Sequence, residues 1–450
     1  MAGEGSENHL SNLPQGWKTA RLGDMISLRG GLSYKGEFLS DSGNSLVTMG
    51  CVSASERFKM SGLKRYSGDF TERHRLRVGD MVIATRDVTQ NRELLGSPAL
   101  VPKGLPGEAI IVATNLYLVA NHSKSPTEFI YWLMKTPAYR NQIIASAKGT
   151  TIVMLTKDSV ENFTFSLPPL AEQKRIVEIL GALDDKIELN HKMNATLEQM
   201  ARALFQSWFV DFDPVHAKAA GRQPIGMDKA TADLFPDSFV DSELGKIPKG
   251  WLVGKVGDLA KLNRDAVNPG DFPTETFDHF SLPSFDDGRR PKTELGSVIM
   301  SNKFIVTSNS VLLSKLNPHI PRIWLPDLNA SRRSVCSTEF MVVSSKPGVS
   351  REYLFSLFTS NAFASIYGTL VTGTTGSHQR IRPESVIEMK TVISSEQITR
   401  AFKEITKPMF DRINHNLAES RTLSALRDTL LPKLLSGELS VKELNSKISA

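Results

Sequence analysis

Hydrophobic residues recur at spacings of three and four between about residues 170 and 212, which predicts one long amphipathic helix. Pro168 and Pro169 stand just before this stretch, and proline suits the start of a helix but not its interior. Glu172 adds a negative charge to the first turn, where the helix dipole favours it. The positions that recur on one face of this helix form its seam. They are Ile176, Leu180, Leu183, Ile187, Asn190, Asn194, Leu197, Ala201, Leu204 and Trp208. Taken alone, the seam fits either an ordinary core helix or a coiled coil in which the asparagines fix the register.

A second copy of this helix near the C-terminus favours the coiled coil. Its seam is displaced by 226 residues and comprises Phe402, Thr406, Met409, Ile413, Asn416, Ser420, Leu423, Arg427, Leu430 and Leu434. Pro408 lies inside the second copy and predicts either a kink or a late helix start. Two equivalent units in one chain are expected to pack with pseudo-two-fold symmetry, which makes the two helices antiparallel.

The segments that precede the two helices also repeat. Pro14-Gln-Gly-Trp17 matches Pro248-Lys-Gly-Trp251 at an offset of 234, and Lys148-Gly-Thr-Thr151 matches Thr372-Gly-Thr-Thr375 at an offset of 224. Matching segments that keep their order, while the number of residues between the two copies changes along the chain, indicate a diverged tandem duplication. The chain is therefore predicted to hold two modules, each followed by a long helix, so that a rod holds the modules at a set distance.

Each module reads as a mixture of short strands and helices. Apolar, branched runs bounded by turns predict strands at Met81–Thr85, Ala109–Ala113 and Ser310–Ser314. Helical spacing predicts helices at Thr127–Ala147 and Arg351–Tyr367. The fold class is α+β: two mixed α/β modules separated by two long antiparallel helices that form a coiled coil, with a pseudo-two-fold internal repeat.

This pattern divides the chain into seven segments. They are a flexible tail (1–13), the first module (14–165), the first long helix (166–212), a linker (213–246), the second module (247–392), the second long helix (393–440) and a tail (441–450).

Charge and cysteine content narrow the class of protein. The net charge of +6 is modest, but the first module holds 19 Lys and Arg against 13 Asp and Glu, and the second holds 17 against 13. Two separate basic modules are what a polyanion-binding protein would present. Cys51 and Cys336 are the only cysteines, which argues against a disulfide framework and a cysteine zinc cluster. With neither a secretion signal nor a membrane-spanning run in the sequence, we expect a cytoplasmic protein.

Three stretches resemble the specificity (S) subunit of type I restriction-modification systems. They are Leu167–Ile176 (LPPLAEQKRI), Ala203–Lys218 (ALFQSWFVDFDPVHAK) and Leu426–Leu439 (LRDTLLPKLLSGEL). The resemblance extends from about residue 12 to 440. It implies two target recognition domains that each read half of a bipartite DNA site, with the helices setting the spacer. It also implies two modification subunits that bind S-adenosylmethionine and methylate adenine, restriction-translocase subunits that can join, and no catalytic residue or cofactor on this chain.

For DNA contact, the best candidates are polar residues on turns beside the strands of the basic modules. Arginine can read guanine through two hydrogen bonds, and asparagine or glutamine can read adenine. A glycine lets backbone N–H groups approach a phosphate. In the first module the candidates are Arg86, Gln90, Asn91, Arg92, Lys148, Gly149, Thr150 and Thr151. In the second module they are Lys315, Asn317, His319, Arg322, Thr374, Thr375, Ser377, His378, Gln379, Arg380 and Arg382. Each could instead be a solvated turn residue, and Arg289-Arg290 and Arg332-Arg333 are weaker candidates.

Aromatic residues cluster at the end of the first long helix, at Trp208, Phe209 and Phe212. They either cap the core between the helices or anchor a modification subunit as binding hot spots. Together with Leu430 and Leu434 of the second helix, they form the candidate partner-binding set.

Two other classes of protein remain as alternatives. A self-contained restriction-methylation enzyme would need a cofactor or catalytic motif, and neither a glycine-rich fingerprint, a P-loop nor an adenine-methylating motif is present. The nine histidines show no metal-ligand spacing. A two-headed scaffold that binds proteins is the second alternative, and it predicts no salt-sensitive affinity for DNA.

Overall fold

The computed structural model describes residues 13–87, 93–147, 153–372 and 379–441. The chain divides into two compact units, Met1–Leu189 with Glu419–Ala450, and Asn190–Ala418. Each unit therefore contains one module, one part of the first long helix and one part of the second.

The first module has thirteen strands and three α-helices within the described residues. The strands are β1 Lys18–Arg21, β2 Ile26–Gly30, β3 Leu39–Ser40, β4 Asn44–Val47, β5 Lys64–Tyr66, β6 Arg75–Leu76, β7 Met81–Ala84, β8 Arg86–Asp87, β9 Pro98–Leu100, β10 Ile110–Val112, β11 Leu116–Asn121, β12 Val153–Met154 and β13 Thr164–Leu167. The helices are α1 Thr127–Met134, α2 Pro137–Ser146 and α3 Lys157–Glu161.

Two sheets form the body of this module. One has the strand order β2-β11-β7-β9, and the other has the order β3-β5-β4-β10-β6 with a parallel β4–β10 pair. Branched and apolar side chains such as Val82, Ala99 and Val112 form one core cluster. A second cluster joins the module to the long helices, because Phe129 and Trp132 pack in the same core as Ile176 and Leu434.

The second unit begins its module with two short helices and a hairpin. Its strands are β14 Phe239–Ser242, β15 Gly245–Pro248, β16 Leu252–Lys255, β17 Ala260–Asn263, β18 Ala266–Val267, β19 Thr276–Phe280, β20 Lys292–Leu295, β21 Lys303–Ile305, β22 Ser310–Ser314, β23 Ile323–Trp324, β24 Arg333–Cys336, β25 Phe340–Ser345, β26 Val371–Thr372, β27 Arg380–Ile381 and β28 Lys390–Ile393. The long helix α4 Leu170–Phe205 precedes them, and the other helices are α5 Asp213–Ala219, α6 Lys229–Asp233, α7 Val256–Leu259, α8 Leu282–Asp286, α9 Arg351–Thr359, α10 Asn361–Tyr367, α11 Pro383–Ile387 and α12 Glu396–Ser436.

The second module repeats most of the topology of the first: the four-stranded sheets match, as do four strands of each five-stranded sheet, whereas β3 and β18 lie at opposite edges. Its sheets have the orders β17-β25-β22-β23 and β18-β21-β24-β19-β20, and β19–β24 is again a parallel pair. In both modules the strand after the Pro-x-Gly-Trp segment pairs antiparallel with the strand before the long helix, β1 with β13 and β16 with β28. The internal repeat predicted from the sequence is thus confirmed by matching strand order.

The long helices begin close to where the sequence predicts. Pro169 accepts hydrogen bonds from the backbone N–H groups of Glu172 and Gln173, so α4 starts directly after the proline pair. The Trp17 indole donates to the Glu172 carboxylate at 3.0 Å, which ties the start of the module to the start of the helix. A π-helical turn continues α4 over Gln206–Val210. Phe212 then adopts a left-handed conformation and ends the helix.

The second long helix runs from Glu396 to Ser436, so the late start offered by Pro408 is wrong. Within each unit the two helices are antiparallel. In the first unit Lys186 pairs with Glu419 and Asp184 with Arg427. In the second unit, Asn190 donates to the carbonyl of Asn416, and Asn194 donates to the carbonyl of Ile413.

The buried asparagines interact as the seam predicts. The Asn416 side chain donates to the Asn194 side-chain oxygen at 2.8 Å, and all three asparagines of the seam are buried. Such contacts need one alignment of the two helices, because a shifted register would leave the amides unpaired in an apolar seam.

Three predicted segments differ in detail. The helix predicted at 127–147 divides into α1 and α2, because Pro137 starts a new helix that Thr136 caps by accepting from the Tyr139 N–H. The helix predicted at 351–367 divides at Ser360, which caps α10 in the same way. The segment predicted as a linker, 213–246, folds into α5, α6 and a hairpin and buries Val215 and Phe235 in the core of the second unit.

No helix within the described residues is long and apolar enough to cross a membrane.

Candidate nucleic-acid interface

The candidate segments of the first module meet at the end of the central strand β7. Arg86 and Asp87 form β8, which pairs antiparallel with β12 so that Met154 lies opposite Arg86 and Val153 opposite Asp87. The strand β12 closely follows the predicted Lys148–Thr151 turn. Two stretches more than 60 residues apart in sequence are therefore adjacent at their described ends.

Asp87 lies just before the segment that carries the other candidates. Its buried carboxylate accepts hydrogen bonds from the backbone N–H groups of Leu94 at 2.6 Å and Leu95 at 3.1 Å. Arg140 on α2 donates to the carbonyl oxygens of Glu93 and Leu95. The residues that flank 88–92 are thereby held together. The candidates Gln90, Asn91 and Arg92 and the candidates Lys148, Gly149, Thr150 and Thr151 lie outside the described residues.

The second module brings its two candidate segments together in the same way. The N–H of Asn317 donates to the carbonyl of Gln379 at 2.9 Å, and the N–H of Ile381 donates to the carbonyl of Lys315 at 3.0 Å. Leu316 and Arg380 form an antiparallel bridge. This arrangement is the counterpart of the β8–β12 pair in the first module. Thr374, Thr375, Ser377 and His378 lie outside the described residues.

Buried groups hold the loop that follows β22. The Tyr367 hydroxyl donates to the carbonyl of Ser314 at 2.7 Å, and the N–H of Ser314 donates to the carbonyl of Arg322 at 3.0 Å. Asn317 has a φ of 49°, in the left-handed region that asparagine tolerates better than most residues, so the loop turns sharply there. The buried side-chain oxygen of Asn317 accepts no hydrogen bond from the described residues.

Carboxylates orient two of the candidate arginines. Arg322 is held by both oxygens of Asp286, at 2.7 and 2.9 Å, and its side chain is only 13% exposed. Arg380 pairs with Glu339 at 2.8 and 3.2 Å, but 53% of its side chain is exposed. The structure therefore brings Arg380 to the surface of the site and holds Arg322 mostly beneath it.

The remaining described candidates differ in exposure. His319 and Arg382 are exposed, whereas Lys315 and Gln379 are half-buried. The Lys315 ammonium lies 5.8 Å from the centre of the Phe304 ring, and burial lowers the pKa of Lys315 although Glu339 partly offsets this. Arg86 is also half-buried. Among these residues, His319, Arg380 and Arg382 offer the most surface to a ligand.

Three of the four weaker candidates lie in ion pairs within the second unit. Arg289 pairs with Glu198 at 2.6 Å, Arg332 with Asp278 at 2.9 Å and Arg333 with Glu275 at 2.5 Å. Each of these three arginines is therefore engaged in an ion pair within the fold.

The proposed partner-binding residues lie in the cores. Trp208 and Phe209 pack with Phe402 at ring distances of 6.0 and 5.3 Å, and the partly buried Phe212 meets the Trp251 ring edge-on at 5.6 Å. Leu430 and Leu434 are buried in the core of the first unit. This burial favours the alternative in which these residues cap the core, because a hot-spot side chain must present area to a partner. Their assignment to a docking surface stays a prediction.

No local signal in the sequence marks the residues that position the site. Asp87, Asp286 and Glu339 hold the candidate segments from outside any recognisable motif, and Asp286 lies 36 residues before the arginine that it binds. Contacts over such a separation depend on the tertiary fold.

Comparison with known proteins agrees with this architecture. The family model described as a type I restriction modification DNA specificity domain matches residues 14–199. The chain is 25% identical over 368 residues to the type I restriction enzyme HindI specificity subunit of Haemophilus influenzae, covering 69% of this chain and 77% of that protein. It is 27% identical over 340 residues to the type I restriction enzyme MjaIX specificity subunit of Methanocaldococcus jannaschii, covering 71% and 70%.

A solved structure supports the fold over nearly the whole chain. The crystal structure of the type I restriction-modification S subunit from M. genitalium has a TM-score of 0.55 at 14% identity, covering 94% of this chain and 97% of that one. The matching family model and the sequence relatives point to the same family. The chain is therefore similar to type I restriction-modification specificity subunits, and residues 14–199 match the DNA specificity domain of that family.

Proposed function

We propose that each module of this chain reads one half of an asymmetric, bipartite DNA site and that the paired long helices set the unread spacer between the halves. The observation that carries this proposal is the convergence of the candidate segments. In the first module β8 pairs with β12, and in the second Leu316 pairs with Arg380. Both modules therefore bring the described ends of their two candidate segments together in the same way.

The chemistry of the second surface suits a DNA duplex. Arg380 is exposed but anchored by Glu339, so its guanidinium is pre-oriented, which lowers the entropy lost when it binds a base or a phosphate. Arg382 and His319 are exposed on the two converging segments. Such groups read bases when they reach a groove edge, and they fix the register when they reach phosphates.

The proposed assembly follows the family. Two modification subunits would bind S-adenosylmethionine and methylate adenine on the DNA that this chain selects, and restriction-translocase subunits would join the full complex. This chain would contribute no catalytic residue and no cofactor site, and its DNA partner would place it in the cytoplasm.

Methylated-adenine mapping of host DNA tests the proposal. With the partner genes expressed, deletion of this gene should abolish methylation at one motif that consists of two short half-sites around a fixed spacer. The double variant Arg380→Ala/Arg382→Ala should relax or lose only the half-site read by the second module. The matched control is Lys390→Ala, which removes an exposed cation that pairs with Glu243 elsewhere in the same unit. A methylome unchanged by deletion would refute the proposal and favour a protein-binding scaffold.

A further inference from the structure

A buried carboxylate joins three elements of the first unit. Asp184 on α4 accepts from the Arg427 guanidinium of α12 at 2.6 Å through one oxygen, and from Arg57 of the module at 3.1 Å through the other. The side chains of Asp184 and Arg427 are each only 6% exposed. Both oxygens of one carboxylate therefore bind different arginines, away from water.

Neighbouring acids complete the neutralisation of both arginines. Arg57 also binds Asp185 at 2.8 Å, and Arg427 also binds Asp428 at 2.9 Å. Burial opposes the charge of Arg427, but Asp428 and Asp184 outweigh it, and the pKa of Arg427 is raised. A buried ion pair of this kind adds little net stability compared with apolar packing, but removing one partner strands a charge.

The equivalent positions in the other copy are apolar. With the helix offset of 226 residues, Asp184 corresponds to Phe410 and Arg427 corresponds to Ala201. In the second unit Phe410 and Ala201 are buried and line one cavity, and Phe410 meets the Phe355 ring edge-on at 5.4 Å. One copy thus uses a charge pair where the other uses a phenylalanine and an alanine.

This difference distinguishes the correct helix pairing from its alternatives. The two long helices are copies, so α4 of one chain could in principle pair with α4 of another, and α12 with α12. In an antiparallel α4–α4 pair, Asp184 of each chain would face Ala201 of the other chain. In an α12–α12 pair, Arg427 of each chain would face Phe410 of the other. Each of these pairings buries two like charges with no counter-ion on the facing helix, which is less favourable than the correct pairing.

We propose that the Asp184–Arg427 ion pair selects pairing between the two different helices and rejects pairing between identical helices of two chains. Repulsive or unpaired groups in the wrong complex are a general source of specificity, beyond the contacts of the right one. The pairing decides whether two different modules or two identical modules share one helix pair. On the proposed function, it therefore decides whether an asymmetric or a symmetric DNA site is read.

The test removes both charges and replaces the two side chains with apolar ones. In the full chain, Asp184→Leu/Arg427→Met makes all four equivalent positions apolar, and Arg57 keeps Asp185 as a partner. Replacing a buried ion pair by packed hydrophobic residues usually preserves folding. The matched control is Lys407→Ala/Asp411→Ala, which removes an ion pair on α12 whose side chains are 50% and 56% exposed.

Cross-linking of introduced cysteines shows which long helices pair. Each chain also carries Leu189→Cys, at an exposed position next to Asn190, the residue that contacts its own repeat equivalent. Two identical α4 helices would bring the two introduced thiols to the same level, within reach of a short bismaleimide. Pairing of α4 with α12 would place the introduced thiol opposite a segment that holds no cysteine. The native Cys51 and Cys336 are buried and should not react.

Two differently tagged copies are co-expressed, cross-linked and purified through one tag. We expect the apolar variant to raise the cross-linked, co-purified fraction at least ten-fold over the parent and the control. A folded apolar variant that stays at the parental level would overturn the proposal, as would a dimer that forms without a cross-link between the introduced thiols. If the apolar variant yields no folded chain, Asp184→Asn/Arg427→Gln decides by the same criterion. The readout involves no DNA, so it stands or fails separately from the proposed function.

Discussion

The residues that flank 88–92 offer a sharp test of how the first module holds its candidate surface. The Asp87 carboxylate is buried and accepts from the N–H groups of Leu94 and Leu95. Asp87→Asn keeps the shape of the side chain but removes its charge and one acceptor. A hydrogen bond to a charged group contributes about 1.5–3 kcal/mol, so we expect local stability to fall by about 2 kcal/mol.

Hydrogen exchange measures this loss directly. A fall of about 2 kcal/mol corresponds to exchange about thirty-fold faster at the amides of Leu94 and Leu95, since about 1.4 kcal/mol is a factor of ten. The control is Asp80→Asn in the same module, where a partly exposed carboxylate accepts from the single N–H of Arg77 at 2.7 Å. Methylation mapping of Asp87→Asn should show one half-site relaxed and the other intact. Unchanged protection at Leu94 and Leu95 would show that the carboxylate does not hold these flanking residues together.

Three further changes have expected outcomes. Tyr367→Phe removes the hydroxyl bond to Ser314 but keeps the ring, so we expect a loss of about 1–2 kcal/mol in the free energy of unfolding by urea titration, and a weakened second half-site. Burial lowers the pKa of Lys135 to about 8, so its charge opposes folding below that pH, and stability gains as pH rises from about 8 towards the pKa of a free lysine. Lys135→Met should therefore stabilise the chain by about 1–2 kcal/mol at about pH 7, and by less at about pH 10. Trp17→Phe removes the indole bond to Glu172 and should cost about 1 kcal/mol, whereas an unchanged unfolding midpoint would assign that contact no energetic role.

Local periodicity was sufficient to predict the long helices. Their seams place Ile176 and Leu180 in one core and Ile413 in another, and the antiparallel pairing appears as contacts of Asn194 and Asn416. The signals are local because a helix places neighbours three and four residues apart on one face. The strand Ser310–Ser314 is predicted in full for a similar reason, since a short run of branched apolar residues between turns is typical of a buried strand.

The division of the shorter helices was also encoded locally. Pro137 follows Thr136, and threonine before proline is a common start of a helix, so the sequence carries a second helix start inside the apolar pattern. The spacing of apolar residues masks this signal, because Tyr139 and Ile143 continue to point into the same core. Where both signals occur, capping determines the boundary and spacing determines the buried face.

The sequence could not predict which residues contact the side chains of the long helices. Whether Trp208 faces a core or a partner depends on Phe235 and Phe402, which contact it from later parts of the chain. Arg427 occupies a seam position that the periodic pattern assigns to an apolar residue. Only the fold shows that Asp184 lies opposite it. Contacts of this kind carry no local pattern, since the interacting residues are far apart in sequence.

The polar residues of the two helices have different capacities to select a partner. Asn190 contacts Asn416, its own repeat equivalent, so pairing with an identical helix would set asparagine against asparagine just as the correct pairing does. These residues can fix the register, but they cannot distinguish one copy from the other. Asp184 faces Arg427, whose repeat equivalent is Ala201, and this position differs between the correct and incorrect pairings. A duplicated helix can therefore keep identical residues where each copy meets its equivalent, and it must diverge elsewhere in the seam if the two copies are to pair only with each other.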